Sequence, residues 1–218
     1  ADREYAETVE HALAKVDRDI LVVAIEDPNV RGGNLRGAPD YEALLAEGDP
    51  DFDWSYPEDE WQALALNYTS GTTGDPKGVV YHHRGGFLNA HGNAMIFGLN
   101  RQTVYLWTLP MFHCNGWCFP WTIAALAGKN ICMRKVSSKL IFKLIKKYNV
   151  SHLCGTTVII NLLIKEGIKL KNKIEFMTGA APPPSTVLKK IDKQGFNITH
   201  TYGLTEVYGP AVVCEWQN

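Results

Sequence analysis

The chain has 218 residues, 45% hydrophobic and 21% charged, a globular composition that buries roughly 70% of the unfolded surface. Lys and Arg number 22 against 23 Asp and Glu, a net charge of −1, which gives no electrostatic case for nucleic acid or an anionic membrane as partner. No apolar run reaches transmembrane length, the first residues carry no basic-then-apolar leader, and five irregularly spaced cysteines argue against a disulfide framework. The expectation is a cytoplasmic chain with reduced thiols and no integral membrane segment.

In chain order, residues 4–16 place Ala6, Val9, Ala12, Leu13 and Val16 on one helical face. Residues 20–25 form a continuous apolar run of the kind found in a buried parallel strand. Residues 27–40 are rich in Gly, Pro and Asn and read as a long loop, residues 41–47 as a helix, and residues 48–60 as irregular chain. Strand and helix then alternate. Strands are expected at 64–68, 104–109, 129–134, 152–154, 174–178 and 197–201. Helices are expected at 84–97, 118–126, 138–148 after an N-cap at Ser137, 157–166 and 185–194. This alternation predicts an α/β fold with a mostly parallel sheet covered by helices. Charge is uneven: residues 1–128 hold 8 Lys and Arg against 18 acids, residues 129–218 hold 14 against 5. Most of the later lysines lie on helix-like stretches, where a solvated face accounts for them.

One segment carries a chemical signal by itself. Tyr68-Thr69-Ser70-Gly71-Thr72-Thr73-Gly74-Asp75-Pro76-Lys77-Gly78 follows a predicted strand and supplies hydroxyls, glycines that let backbone N–H groups approach an anion, and a lysine. It is not a Walker loop, because Lys77 lies between Pro76 and Gly78 rather than before Ser or Thr. A solvated turn is the plain alternative, and the density of hydroxyls favours a phosphate cradle. His113, Cys114 and Cys118 lack the second paired cluster that a zinc site needs. His83 is the expected cap of the helix that follows.

The loop at 68–78 resembles the signature loop of the AMP-forming acyl-CoA synthetases, within the adenylate-forming superfamily. Three further segments are similar to that family and fall in the expected order. Thr201-Tyr202-Gly203-Leu204-Thr205-Glu206, with His200 before it, resembles the nucleotide and magnesium motif. Gly179-Ala180-Ala181-Pro182 resembles the loop between adenine and acyl group. Leu109-Pro110-Met111-Phe112-His113-Cys114-Asn115-Gly116-Trp117 resembles the acyl-pocket segment of the fatty and medium-chain branch.

The resemblance implies ATP, Mg²⁺ and CoA as cofactors and a carboxylic acid as substrate. It implies nucleotide binding by Thr69, Ser70, Gly71, Thr72, Thr73, Gly74, Lys77, Gly179, Ala180, Ala181, His200, Thr201, Tyr202, Gly203 and Thr205. Thr69 and Glu206 would hold Mg²⁺, for which hard oxygen donors are suited. His113, Gly116, Trp117 and Gly179 would bind the acid, and Lys77, Thr205, Glu206 and His113 would form the catalytic set. A carboxylate nucleophile needs no deprotonation near neutral pH, so His113 would orient the acid rather than act as a base.

The sequence departs from the family's pattern by omission. Only twelve residues follow Glu206, and the family's Tyr-Arg-x-Gly-Asp motif, hinge and small C-terminal domain with its lysine are not in it. Residues 1–218 are therefore expected to be part of the large AMP-binding domain, without its start and without the lid domain. The isolated chain is expected not to turn over, and the remainder of its own domain is a candidate partner. Open alternatives are a relative with a carrier-protein or oxidative acceptor, a non-catalytic nucleotide- or acyl-binding remnant, and an interaction role for faces left uncovered.

Overall fold

In the computed structural model the described residues are 1–28, 30, 33, 35, 37–69 and 74–214. Two compact units divide them, Ala1–Tyr56 and Pro57–Asn218.

In the first unit Asp2 caps a short 3-10 turn, Arg3–Tyr5, its side chain accepting from the Glu4 amide at 2.8 Å, and α1 (Ala6–Leu13) follows. The helix expected over residues 4–16 therefore ends early, leaving Val16 exposed. α2 (Tyr41–Ala46) starts at Asp40, whose carboxylate accepts from the amides of Glu42 and Ala43. The apolar run at 20–25 is not a buried strand. Only isolated bridges join Ala24 to Asp40 and Ile25 to Asp2, and Leu21 is 75% exposed. A parallel strand is buried when neighbours pair with both its edges and helices cover both faces. Within the described part of this unit the run has neither, and its core is only Ala6, Ala24 and Leu35 with a few partly buried neighbours.

The second unit opens with an antiparallel hairpin, β1 (Ala63–Thr69) and β2 (Lys77–His82), closed where Thr69 pairs with Lys77. Sequence analysis missed β2, whose Gly78 and flanking Pro76 mask a short Val-Val-Tyr run. α3 (His83–Ile96) follows, capped by His82 rather than the expected His83. The His82 Nδ1 accepts from the Gly85 amide at 2.9 Å.

A six-stranded sheet then builds from β3 (Val104–Leu106), β4 (Lys129–Ile131), β5 (His152–Gly155), β6 (Ile174–Thr178), β7 (Phe196–Leu204) and β8 (Gly209–Cys214), in the order β4-β3-β5-β6-β7-β8. All neighbours are parallel except β7 and β8. β8 also escaped the sequence reading, since its second residue is Pro210, which a sheet tolerates on an edge strand such as this one. The connections are α4 (Cys114–Trp117), a single turn whose residues all have positive φ, and α5 (Phe119–Ala125) after β3, α6 (Ser138–Tyr148) after β4, α7 (Thr157–Glu166) after β5, and α8 (Ser185–Asp192) after β6. Ser137 caps α6 as expected, accepting from the Leu140 amide at 3.3 Å.

Strand alternation sends side chains to two cores. Leu106, Leu153, Phe176 and Ile198 pack with Ile141, Phe142 and Ile145 of α6, Ile160 and Leu163 of α7, and Ile191 of α8. Their neighbours Tyr105, Trp107, Cys154 and Met177 pack on the other side with Phe119 and Ile123 of α5 and with Phe97 beyond α3. Parallel strands buried on both faces show no hydrophobic alternation in sequence, which is why they read as short apolar runs.

A buried histidine joins the end of α3 to this sheet. Burial lowers the pKa of His152, opposed by the Phe97 carbonyl that its Nε2–H donates to at 3.0 Å. Nδ1 then accepts from the Ser151 hydroxyl at 2.8 Å. A base whose folded pKa is depressed binds more protons when unfolded, so its contribution to stability is complete above the unfolded value of about 6.5 and is lost as pH falls below it. Urea unfolding of the parent at pH 7.5 and pH 5.5 should show this loss, and His152→Gln should flatten that part of the profile.

Candidate active site

The parallel strands β3, β5, β6 and β7 all run in one direction, so the loops at their C-terminal ends gather at one edge. The chain leaves β3 towards β4 but leaves β5 towards β6 on the other side, so the strand order reverses between β3 and β5. Open α/β sheets bind ligands at such a point, beyond the carboxyl ends of the strands. A cavity of about 610 Å³ lies there.

Its wall is assembled from five chain segments. Leu109, His113, Cys114 and Trp117 come from the loop after β3, and Thr156 from the end of β5. Gly179 and Ala180 follow β6, Thr201 and Gly203 to Glu206 belong to β7 and the 3-10 turn after it, and Gly209 and Pro210 open β8. Thr69, Gly74, Asp75 and Lys77 close it from the hairpin. Thus Thr69, Gly74, Lys77, His113, Trp117, Gly179, Ala180, Thr201, Gly203, Thr205 and Glu206 share one cavity, although they span residues 69 to 206. Ser70, Gly71, Thr72 and Thr73 lie outside the described residues.

Four expected site residues do not line it. Tyr202 is 61% exposed and sits at the register shift between Tyr202 and Gly203. His200 approaches the Ala180 carbonyl through Nε2 at 3.3 Å. Ala181 accepts from the Thr157 hydroxyl at 3.2 Å. Gly116 is buried behind the wall, where a Cβ would stand 2.8 Å from the Trp107 ring.

Sequence reasoning passed over Thr156, Gly209 and Pro210, and gave Leu109 and Cys114 no role of their own within the acyl-pocket segment. The Cys114 Sγ lies 3.4 Å from Thr205 Oγ1. Burial raises the Cys114 pKa, the Thr205 contact lowers it and Glu206 raises it again, with the net shift upward. The thiol therefore stays protonated near neutral pH and can donate to Thr205, leaving the threonine hydroxyl proton free to point into the cavity. Cys114 opens five consecutive residues with positive φ, from 41° at Asn115 to 64° at Cys118. This left-handed turn carries the Trp117 ring to Gly179, where a Cβ would stand 2.8 Å from it. Only the side-chain-free backbone of Gly179 admits that contact.

Two oxygen donors line the cavity from different elements. Glu206 and Thr69 face the same cavity, and both are hard ligands of the kind Mg²⁺ prefers. Among the described residues no group of three or more His, Cys, Asp or Glu is placed to hold a metal ion. An ion held here would complete its shell with phosphate oxygens and water, the usual state of Mg²⁺ on a nucleotide.

Residues 3–218 match the family model described as "AMP-binding enzyme". The chain belongs to this family of AMP-binding enzymes. It is 50% identical over 187 residues to the acetate/butyrate–CoA ligase AAE7, peroxisomal, of Arabidopsis thaliana, a match covering 84% of this chain and 33% of that protein. It is 42% identical over 233 residues to the acetate–CoA ligase CCL3 of Humulus lupulus, covering 99% of this chain and 41% of that one. The chain thus spans about a third to two fifths of the length of these relatives. The N-terminal domain of FACL13 from Mycobacterium tuberculosis has the same fold at a TM-score of 0.78 and 22% identity, over 97% of this chain and 52% of that one. The Bacillus subtilis o-succinylbenzoate coenzyme A synthetase MenE in complex with ATP and magnesium ion matches at a TM-score of 0.74 and 22% identity, over 88% of this chain and 41% of that one.

The crossing of β7 and β8 gives a sharp structural test. A Cβ on Gly203 would lie 1.7 Å from the Gly209 carbonyl oxygen, a main-chain atom that cannot rotate away. Gly203→Ala should destabilise the fold by at least about 1–3 kcal/mol, the usual cost of overpacking. Urea denaturation reads this directly, and a variant as stable as the parent would contradict the observed packing.

Proposed function

We propose that this chain carries the adenylating site of an AMP-forming acyl-CoA synthetase that activates a short- or medium-chain carboxylic acid. The observation that carries the reading is the single cavity shared by Thr69, Gly74 and Lys77, by Gly179 and Ala180, by Thr205 and Glu206, and by His113 and Trp117. A phosphate-binding end and an acyl-binding end face each other within it. The relatives, an acetate/butyrate–CoA ligase and an acetate–CoA ligase, favour CoA as acceptor over a carrier protein or an oxidative reaction.

In the first half-reaction one oxygen of the acid's carboxylate bonds to the α-phosphorus of ATP. The bond from that phosphorus to the bridging oxygen of pyrophosphate breaks, giving acyl-AMP and pyrophosphate. In the second the CoA sulfur, losing its proton, bonds to the acyl carbon and AMP leaves with the former carboxylate oxygen. The chain's residues contribute position and charge. Lys77 holds the departing pyrophosphate, and the Thr205 hydroxyl donates to the α-phosphate as charge gathers there. Glu206 and Thr69 would hold Mg²⁺, which would neutralise phosphate charge. His113 orients the carboxylate, the Trp117 ring closes the acyl end, and the Gly179–Ala180 backbone lies between acyl group and nucleotide. Tyr202, His200 and Ala181 would reach the adenine side only outside the cavity wall.

We read residues 1–218 as part of a larger AMP-binding domain, in keeping with the share of the relatives' length that they span. All five cysteines are free, two of them exposed, which fits a reducing compartment, and we place the protein in the cytoplasm. The Arabidopsis relative's name makes the peroxisome the alternative. Among the described residues no helix is long and apolar enough to cross a membrane.

Titration calorimetry with MgATP tests the reading. Lys77→Ala should weaken binding by about 1–3 kcal/mol, the worth of a hydrogen bond to a charged group. An unchanged dissociation constant would remove Lys77 from the site. In Glu206→Gln, shape is kept and charge lost, so the enhancement of ATP binding by Mg²⁺ should disappear while metal-free binding stays near the parent's. ATP–pyrophosphate exchange with acetate and butyrate should be negligible for the 218-residue chain alone.

A further inference from the structure

Helix α3 contributes no residue to the lining of the cavity. Its apolar residues show no coherent face in sequence. Yet Gly85, Asn89 and Asn93, spaced by four and therefore on one side of the helix, each meet one of the two loops that build the cavity.

Gly85 provides a slot for Tyr208, the residue after the Thr205–Val207 turn. A Cβ on Gly85 would stand 2.3 Å from the Tyr208 ring. That ring stacks on Tyr81 at 4.1 Å, and its hydroxyl accepts from the His82 amide at 3.0 Å. One turn further on, Asn89 Nδ2 donates to the Pro210 carbonyl at 2.9 Å. Another turn on, Asn93 Nδ2 donates to the Trp117 carbonyl at 2.8 Å and to Asn89 Oδ1 at 3.2 Å. Asn93 is 4% exposed, so water cannot replace these bonds.

Both loops depend on such support. Trp117 stands in the left-handed turn, and Pro210 follows Gly209, whose φ is +112°. They also touch each other, since a Cβ on Gly209 would lie 3.0 Å from the Trp117 Cα. The Cys118 thiol donates to the Tyr208 carbonyl at 3.3 Å, bridging them again. Thr205 and Glu206 lie immediately before the one anchor, and Trp117 carries the other.

We propose that Asn89 and Asn93 are positioning residues: through two main-chain carbonyls they fix the Trp117 wall relative to the Thr205–Glu206 turn, and so set where the acyl group sits relative to the α-phosphate. The proposal rests on the adenylating reading of the cavity. It makes α3 a specificity element that touches no substrate.

The test compares two ligands on the 218-residue chain, AMP and butyryl-sulfamoyl-adenosine, an unreactive mimic of the acyl-adenylate. Asn93→Ala should weaken the mimic about tenfold while AMP changes less than about twofold, as expected when a buried acceptor loses its donor. Asn93→Asp keeps the shape and removes the donor, and should shift the ratio of the two affinities in the same direction. Equal loss for both ligands, or a shift in the alanine variant alone, would make Asn93 a packing residue and overturn the proposal.

Hydrogen–deuterium exchange supplies an arm that needs no ligand. Asn93→Ala should speed exchange by about tenfold in residues 114–118 and Asn89→Ala in residues 208–211, with Leu153 and Cys154 unchanged. Uniform acceleration, or none, would also overturn it. If the parent binds neither AMP nor the mimic, the adenylating reading is what fails, and exchange alone decides the coupling of the loops.

Discussion

Trp117 packs its ring against the bare backbone of Gly179, and the cavity has its shape because nothing else fits between them. The indole reaches that position only by way of five successive residues in left-handed conformation. Each such residue other than glycine costs about 1–2 kcal/mol, so the turn persists only while its surroundings hold it. They do so with the Cys114–Thr205 contact, the Cys118 thiol on the Tyr208 carbonyl and the Asn93 amide on the Trp117 carbonyl. Burial pushes the Cys118 thiol up to about 12, which keeps it a donor. Backbone held in sparsely populated regions gathers where geometry matters for chemistry, and here it forms one wall of the cavity.

The hairpin end of the cavity follows a different logic. The hairpin pairs Thr69 with Lys77, so its loop leaves and returns at one place and delivers a hydroxyl and an ammonium to the same cavity. Across from it, β7 ends in a 3-10 turn that presents Thr205 and Glu206. The parallel strands decide that these ends face each other: helical crossovers return every strand in the same direction, so their C-terminal loops converge on one edge. Cys114 stands behind Thr205, its Sγ 3.4 Å from the hydroxyl.

Much of this was legible in residue order. The alternation of apolar runs and helical stretches marked β5, α7 and β6 almost to the residue, because the strands are short apolar runs, the helix is a longer apolar stretch, and Gly or Asn lies close to their ends. Where period and boundary conflicted, the reading failed. The run at 20–25 had the composition of a buried strand, but composition says nothing about whether paired neighbours exist. β2 and β8 were hidden by Gly78 and Pro210, residues that oppose strands on average and are accommodated at a hairpin and at a sheet edge.

The site divides in the same way. Sequence alone determined which residue types were on hand for phosphate and metal, since hydroxyls, glycines, a lysine and a carboxylate are chemistry that spacing can expose. Only the tertiary structure decided which of them share a cavity. It gathered Thr69, Lys77, Gly179 and Glu206, left Tyr202 out of the lining, and brought in Cys114 and also Thr156, for which no local signal exists. The physical reason is that strand alternation and left-handed turns set a side chain's direction through pairing register and packing. Those are settled by residues distant in the chain, such as Asn93 beneath Trp117.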